Sequence, residues 1–222
     1  MISVGPRAGV AASAVGVASA AGVASVVGVA SAAGVVRAAR ESDIEAMRFV
    51  EQAAGQLFLQ VGMPEVAADP PFAPDVLLGY VRRGQAWVSP AAGLGAGGTG
   101  GGPDPGDPVG YALVDLMAGS LHLEQLSVRP DHGRCGRGAA LFAAVCGQAR
   151  LLGYPRVTLS TFRDVPWNAP LYARWGAQPL AAAEIDVELA AVVERERAHG
   201  LDPSGRLLMA VDLPGRAPAG PA

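Results

Sequence analysis

Short apolar runs alternate with longer amphipathic stretches between residues 35 and 213, so few architectures remain open to this chain. Alternating apolar residues predict strands at 35–38, 85–88, 109–114, 121–128, 157–160 and 207–213. Apolar residues three or four positions apart predict helices over 74–83, 139–152, 168–175 and 184–199, and another after a capping box of Ser42 and Glu45. These elements predict an α/β or α+β fold, with helices on both faces of one sheet.

Three segments of low complexity interrupt or flank this pattern. Residues 8–36 contain only Ala, Val, Gly and Ser, which favours a disordered leader over residues 1–34. A targeting segment, a membrane anchor and a start codon assigned too early are the alternatives for this leader. Gly and Pro dominate 91–107, which predicts a flexible loop between two strands, and 214–222 is typical of a disordered tail.

Composition excludes several kinds of chemistry. The net charge is −3, and all 17 cationic residues are arginines, so no basic surface for nucleic acid and no Schiff-base lysine are expected. The two cysteines, Cys135 and Cys146, are too few for a disulfide scaffold and indicate a reducing, cytoplasmic compartment. The histidines His122, His132 and His199 form no metal-ligand spacing, so no metal is expected.

The strand predicted over 121–128 does not keep a two-residue period. Leu121 and Leu123 share one face, whereas Leu126 and Val128 fall on the other, and the phase breaks at the polar pair 124–125. A β-bulge would restore the phase, bend the strand and expose main-chain groups to an extended ligand that carries amides. The alternative is an edge strand whose two polar residues face solvent.

A glycine-rich turn separates this strand from the next helix. Gly133, Gly136 and Gly138 allow close approach of a ligand, and the helix start adds unpaired amides, which together favour a phosphate site. Arg134 and Arg137 add positive charge. The P-loop and dinucleotide motifs are both excluded, because alanines replace the Lys and Ser/Thr of the first and leucine replaces the third glycine of the second. A purely structural turn is the alternative.

Residues 128–141 resemble the acetyl-CoA signature of the GNAT N-acetyltransferase superfamily, a Gln/Arg-x-x-Gly-x-Gly/Ala turn. Gly136 and Gly138 match it, whereas Gly133 stands at its Gln/Arg position. Asn168, Tyr172 and Gly176 resemble the family's second motif. The resemblance implies a mixed, mostly antiparallel sheet that splays between its two middle strands, with acetyl-CoA as co-substrate and no metal.

The resemblance also assigns roles to individual residues. Pantetheine would pair with the backbone of Leu126, Ser127 and Val128. The pyrophosphate would bind the amides of Arg134, Cys135, Gly136, Arg137, Gly138 and Ala139. Asn168 would bond the pantetheine arm and Tyr172 would act as general acid, while Glu124 is the candidate base.

Each side chain also has a simpler interpretation. Tyr172 could be a packed helix tyrosine, and Glu124 a surface carboxylate or a substrate anchor. His122 is a weaker candidate base. His132 is expected to shape the turn, and Cys135 to be a small turn residue without a base partner.

The chain is therefore expected to transfer an acetyl group directly to a primary amine of a small molecule or peptide. A non-catalytic acyl-CoA sensor is the alternative. The segment 55–74 and the helix 184–199 are expected to wall the acceptor pocket. Glu65, Asp69 and Asp75 could attract a cationic amine, and the alternative is that these loop acids are simply solvated. No nucleic acid or membrane partner is expected, and a homodimer stays open.

Overall fold

A computed structural model describes residues 29–31, 34–91 and 106–213. The strands are β1 (Val29–Ser31), β2 (Gly34–Ala38), β3 (Ala86–Pro90), β4 (Pro108–Leu116), β5 (Leu121–Val128), β6 (Arg156–Phe162), β7 (Gln178–Pro179) and β8 (Arg206–Asp212). The α-helices are α1 (Ile44–Gly55), α2 (Pro64–Ala68), α3 (Pro74–Arg82), α4 (Arg137–Leu151), α5 (Ala169–Arg174) and α6 (Val187–Ala198).

The strands follow the order β1-β2-β3-β4-β5-β6-β8-β7. Neighbouring strands are antiparallel except β5 and β6, which are parallel. A parallel pair needs a crossover, and α4 supplies it between β5 and β6. The prediction of a mixed, mostly antiparallel sheet with helices on both faces is confirmed.

Alternate residues of β4 point to opposite faces of the sheet and form two cores. Tyr111 and Leu113 pack with α1 and α3 on one face. Ala112 and Val114 pack with α4 on the other. The sheet therefore separates α1 and α3 from α4.

A β-bulge lies in β5, where the sequence pattern predicts it. Leu123 pairs with Val114 and Gln125 pairs with Leu113, so Glu124 has no partner residue in β4. The extra residue returns the apolar side chains beyond it to the α4 face and bends the strand.

The sheet splays open between β5 and β6. The two strands pair only at Leu121, His122 and Leu123, and from Ser160 onward β6 pairs with β8 alone. The bend at the bulge directs the second half of β5 away from β6. The resulting gap is the splay that the family resemblance implies.

Some details differ from the sequence predictions. Val29–Ser31 and Gly34 belong to the predicted leader, yet they form β1 and the start of β2. The rest of the leader (residues 1–28 and 32–33), most of the glycine-rich loop (92–105) and the tail (214–222) lie outside the described residues. None of the helices in the described ranges is long and apolar enough to cross a membrane.

The start of α1 is capped differently from the prediction. The prediction pairs Ser42 with Glu45, whereas the Asp43 carboxylate accepts a hydrogen bond from the Arg40 amide at 2.7 Å, across a short 3-10 turn (Glu41–Asp43). Asp43 also pairs with Arg37 of β2 at 2.7 Å. Asp43 is the N-cap of α1, but its carboxylate caps the short 3-10 turn before the helix and not α1 itself.

Candidate active site

The gap between β5 and β6 exposes main chain on the inner edge of β5. Successive residues of a strand direct their N–H and C=O groups to alternate sides. In the stretch from Leu126 to Val128, β4 pairs with one side and β6 does not pair with the other. The backbone positions assigned to pantetheine by the resemblance therefore border the gap.

The glycine-rich turn forms a concave set of backbone amides before α4. Arg134 has φ 56° and Gly136 has φ 79°, and such left-handed residues turn successive N–H groups toward one point. Gly136 is the N-cap of α4, and no side chain of the described chain caps the helix. The first-turn amides therefore have no intrahelical partner and can bind an anion. We call the backbone amides from Arg134 to Ala139 the amide cradle.

A groove of about 760 Å³ lies in front of these amides. It runs from the end of β5, past the turn, to the segment around α5. Its lining includes Val128, Gly133, Arg134, Gly136, Gly138, Ala139, Trp167, Leu171, Arg174 and Trp175. The groove brings together the strand end, the amide cradle and α5.

The guanidinium of Arg137 is already engaged by hydrogen bonds to β3. Arg137 is 7% exposed and donates to Ser89 Oγ at 3.0 Å and to the Pro90 carbonyl at 2.6 Å. The sequence predicts that Arg137 adds positive charge to the turn. In the structure its guanidinium instead connects α4 to β3. Its backbone amide remains in the first turn of α4.

We expect Gly136→Ala to weaken coenzyme A binding about 10-fold. A left-handed φ costs alanine about 1–2 kcal/mol, which the turn can relieve only by moving its amides. Isothermal titration calorimetry measures the effect. Gly147→Ala, in the interior of α4, is the control, because a Cβ there meets no atom within 4 Å and coenzyme A affinity should stay unchanged. Equal affinities of both variants would contradict the cradle.

Helix α5 carries two buried polar side chains without partners. Asn168, the N-cap, and Tyr172 are both 0% exposed. Among the described residues, neither the amide atoms of Asn168 nor the Tyr172 hydroxyl has a hydrogen-bond partner. A buried unsatisfied polar atom costs about 1–3 kcal/mol, so these groups indicate a site for a polar ligand.

Tyr172 is held rigidly by aromatic packing. Its ring makes edge contacts with Phe142 and Trp175, at centroid distances of 5.6 and 5.5 Å. Burial raises the pKa of Tyr172, so its hydroxyl stays protonated near neutral pH. A protonated, fixed and unpartnered hydroxyl is suited to donate a proton.

Glu124, at the bulge, is buried and not a surface carboxylate. It is 4% exposed, and its Oε2 has no hydrogen-bond partner in the described part of the chain. Burial, together with the nearby charge of Asp115, raises the pKa of Glu124 to about 8. A carboxyl with such a pKa can accept a proton near neutral pH.

Comparison with known proteins decides the family. The profile of the Acetyltransferase (GNAT) family matches residues 75–177, which span α3 to α5. The chain contains a GNAT acetyltransferase domain over these residues. This domain supports acyl transfer as the general chemistry of this GNAT protein.

Solved structures support the GNAT fold. Rv2747 from Mycobacterium tuberculosis, in complex with CoA and NLQ, is 20% identical with a TM-score of 0.57, over 80% of this chain and 98% of that one. The ribosomal-protein-S18-alanine N-acetyltransferase from Escherichia coli is 14% identical with a TM-score of 0.52, over 84% and 97%. N-acetylglutamate synthase from Neisseria gonorrhoeae, complexed with coenzyme A and N-acetyl-glutamate, is 16% identical with a TM-score of 0.55, over 80% and 34%.

The remaining candidates of this GNAT protein have structural roles. His122 Nδ1 lies 3.0 Å from Thr158 Oγ1, and burial lowers its pKa to about 3. His132 ends a short helical turn, as expected. The Cys135 thiol is exposed and donates to the Gly133 carbonyl at 3.2 Å, which fits a turn residue. Within the described ranges, no three His, Cys, Asp or Glu side chains form a metal site.

Two further buried polar groups, which the sequence patterns do not indicate, lie close to the candidate residues. Thr161 Oγ1 and Trp167 Nε1 are buried and have no partner among the described residues. Trp167 directly precedes Asn168, and Thr161 lies near the end of β6. Only their position in the sequence could have indicated them, since neither residue type indicates a function by itself.

The acidic residues that the sequence analysis names differ in burial from the carboxyl groups near the bulge. Glu65, Asp69 and Asp75 are exposed. Asp115 and Glu124 instead bring carboxyl groups close to the bulge, and burial raises the pKa of Asp115 as well. The carboxyl groups near the bulge therefore come from the sheet, from β4 and β5, and their raised pKa values favour the protonated form.

Proposed function

We propose that this protein transfers the acetyl group of acetyl-CoA directly to a primary amine of a small molecule or peptide. The observation that carries the proposal is the set of buried, unpartnered polar atoms on Glu124, Asn168 and Tyr172. Polar atoms of this kind are satisfied when a substrate binds. A packed core would bury apolar groups there instead.

The gap and the amide cradle support a role in binding the co-substrate. Bound acetyl-CoA supplies a thioester whose carbonyl carbon is electrophilic. The backbone from Leu126 to Val128 would hydrogen-bond the pantetheine amides, and Asn168 would bond the same arm. The amides from Arg134 to Ala139 would bind the pyrophosphate at the positive end of α4.

Glu124 and Tyr172 would manage the two protons of the transfer. Glu124, directly or through water, takes a proton from the acceptor ammonium, which leaves a lone pair to attack the thioester carbonyl. Tyr172 donates its proton to sulfur as the C–S bond breaks. The attacking nitrogen releases its second proton to water as the intermediate collapses. Solvent then reprotonates Tyr172 and takes up the proton held by Glu124.

The proposed catalytic unit comprises the described sheet and its helices. Cys135 and Cys146 are free thiols, which supports a reducing, cytoplasmic location.

The pH dependence of kcat/KM tests Glu124. A base must be deprotonated to act, so kcat/KM should rise with pH through the pKa of about 8. In Glu124→Gln this rising limb should disappear, and kcat/KM at pH 8.5 should fall about 100-fold. If the variant kept the same rise of kcat/KM with pH as the wild type, the proton transfer would belong to another group.

A thiol-release assay with an amine panel tests the function itself. The full chain is incubated with acetyl-CoA and amino acids, polyamines, aminoglycosides or peptide N-termini, and free coenzyme A is measured together with the acetylated product. Amine-dependent release of thiol is expected. Coenzyme A binding without release, over the whole panel, would favour the non-catalytic sensor.

A further inference from the structure

We propose that the acceptor amine carries a carboxylate, and that Arg195 binds this carboxylate while the amine lies at Glu124. The inference rests on the proposed function, because it assigns the substrate class of the same site. The acceptor is then a zwitterion of the amino-acid type. Four features of the structure carry this assignment: the sheet face, the placement of α6, the guanidinium of Arg195 and the charges that suit either end of the site.

The first feature is the polar face of the sheet around the bulge. Asp115 pairs with His122, and His122 pairs with Thr158, so these three side chains project from the same face. The Tyr80 hydroxyl, from α3, donates to Asp115 at 3.0 Å on that face. Glu124 follows His122 by two residues, which places its side chain beside them. This face is opposite to α4, so an acceptor and the proposed cradle lie on different sides of the sheet.

The second feature is the placement of α6 over the same face. Ser160 Oγ, in β6, donates to Glu196 at 2.9 Å. The Ala118 amide, in the turn between β4 and β5, donates to Glu188 at 2.7 Å. Arg195 follows Glu188 by seven residues, or two helical turns, and lies on the same side of α6. Arg195 therefore faces the part of the sheet that carries β4 and β5.

The third feature is the unengaged guanidinium of Arg195. Within the described residues it makes no side-chain hydrogen bond and no ion pair, whereas Arg197 pairs with Glu194 at 2.9 Å. Burial raises the pKa of Asp115 and of Glu124, and the positive charge of Arg195 opposes both shifts. Arg195 thus lies close enough to the two carboxyls to act on them electrostatically.

The two ends of this site are suited to ligand groups of opposite charge. Glu124 Oε2 and Gln125 Oε1 are buried oxygens without partners among the described residues, and they accept hydrogen bonds from an ammonium group. Arg195 offers only donors, and its planar fork binds a carboxylate with two parallel bonds. A diamine would place its second cation against Arg195, whereas an amino acid satisfies both ends.

Matched acids and amides test the inference with the full chain. Acetylation of L-amino acids, β-alanine and γ-aminobutyrate is compared with that of their carboxamides, as kcat/KM ratios from thiol release and product mass. We expect the best acid to exceed its carboxamide by about 10- to 100-fold. Arg195→Gln should reduce this ratio to about 1, and Arg195→Lys should leave an intermediate ratio. Arg197→Gln, a neighbouring charge already paired, is the control and should keep the wild-type ratio.

The outcomes separate this inference from the proposed function. Wild-type protein that acetylates carboxamides as well as acids overturns the inference and leaves the acetyltransferase function standing. The same conclusion follows if Arg195→Gln keeps the wild-type ratio. Failure of every amine to release thiol, with coenzyme A still bound, overturns the proposed function and this inference with it.

Discussion

Tyr172→Phe should lower kcat by about 10²- to 10⁴-fold and leave the affinity for coenzyme A nearly unchanged. Phenylalanine keeps the ring contacts with Phe142 and Trp175 and removes only the hydroxyl. That hydroxyl is buried, protonated and without a partner in the described residues, so its removal leaves no other group unsatisfied. The loss should therefore fall on the step in which sulfur is protonated.

Steady-state kinetics measures the loss of kcat, and calorimetry measures the affinity for coenzyme A. Tyr154→Phe is the matched control, because Tyr154 is only partly buried against the same core and should retain full kcat. An equal loss of kcat and of coenzyme A affinity would make Tyr172 a binding residue. An unchanged kcat would make it a packed helix tyrosine, which is the simpler interpretation of the sequence.

Arg206→Met should lower the free energy of unfolding by about 3–5 kcal/mol, because it leaves the buried Glu196 carboxylate without its cation. The two side chains are 4% and 2% exposed. The Arg206 Nε–Glu196 Oε2 distance is 3.1 Å, and Ser160 donates to the same carboxylate. The Arg206 guanidinium also lies 4.5 Å above the Phe162 ring. This cluster fixes α6 to the splayed end of β6, beside the proposed acceptor site.

Urea unfolding with two further variants isolates this effect. The double variant Arg206→Met with Glu196→Met removes both charges and should recover most of the lost stability. Arg156→Met breaks an ion pair with Asp212 that is largely exposed, and should cost no more than about 1 kcal/mol. Equal losses in Arg206→Met and the double variant would mean that packing, and not the unpaired carboxylate, limits stability.

The β5 bulge shows how much a local pattern can predict. The break in the two-residue period at Glu124–Gln125 requires an inserted residue if both flanking apolar pairs are to reach the core. This requirement depends only on neighbours along the chain. The structure accordingly has the unpaired residue at Glu124.

Arg137 and the acidic residues show what the local sequence could not predict. Arg137 lies beside the turn in sequence, but its side chain is directed by acceptors 47 and 48 residues away in β3. Nothing in the local sequence distinguishes the exposed Glu65 and Asp75 from the half-buried Asp115. Only the packing of α3 and α6 on the sheet decides which carboxyl is desolvated.

The sequence by itself determined the order of strands and helices, the kinked strand and the glycine turn, because each follows from periodicity or from backbone freedom within a few residues. It also carried the two motifs that place the chain among acetyltransferases. The tertiary structure alone decided which polar atoms lose their partners, which carboxyl gains a raised pKa and which arginine stays unengaged. These properties depend on burial and on charges from distant segments, and the chain acquires them only when α3, α5 and α6 pack against the sheet.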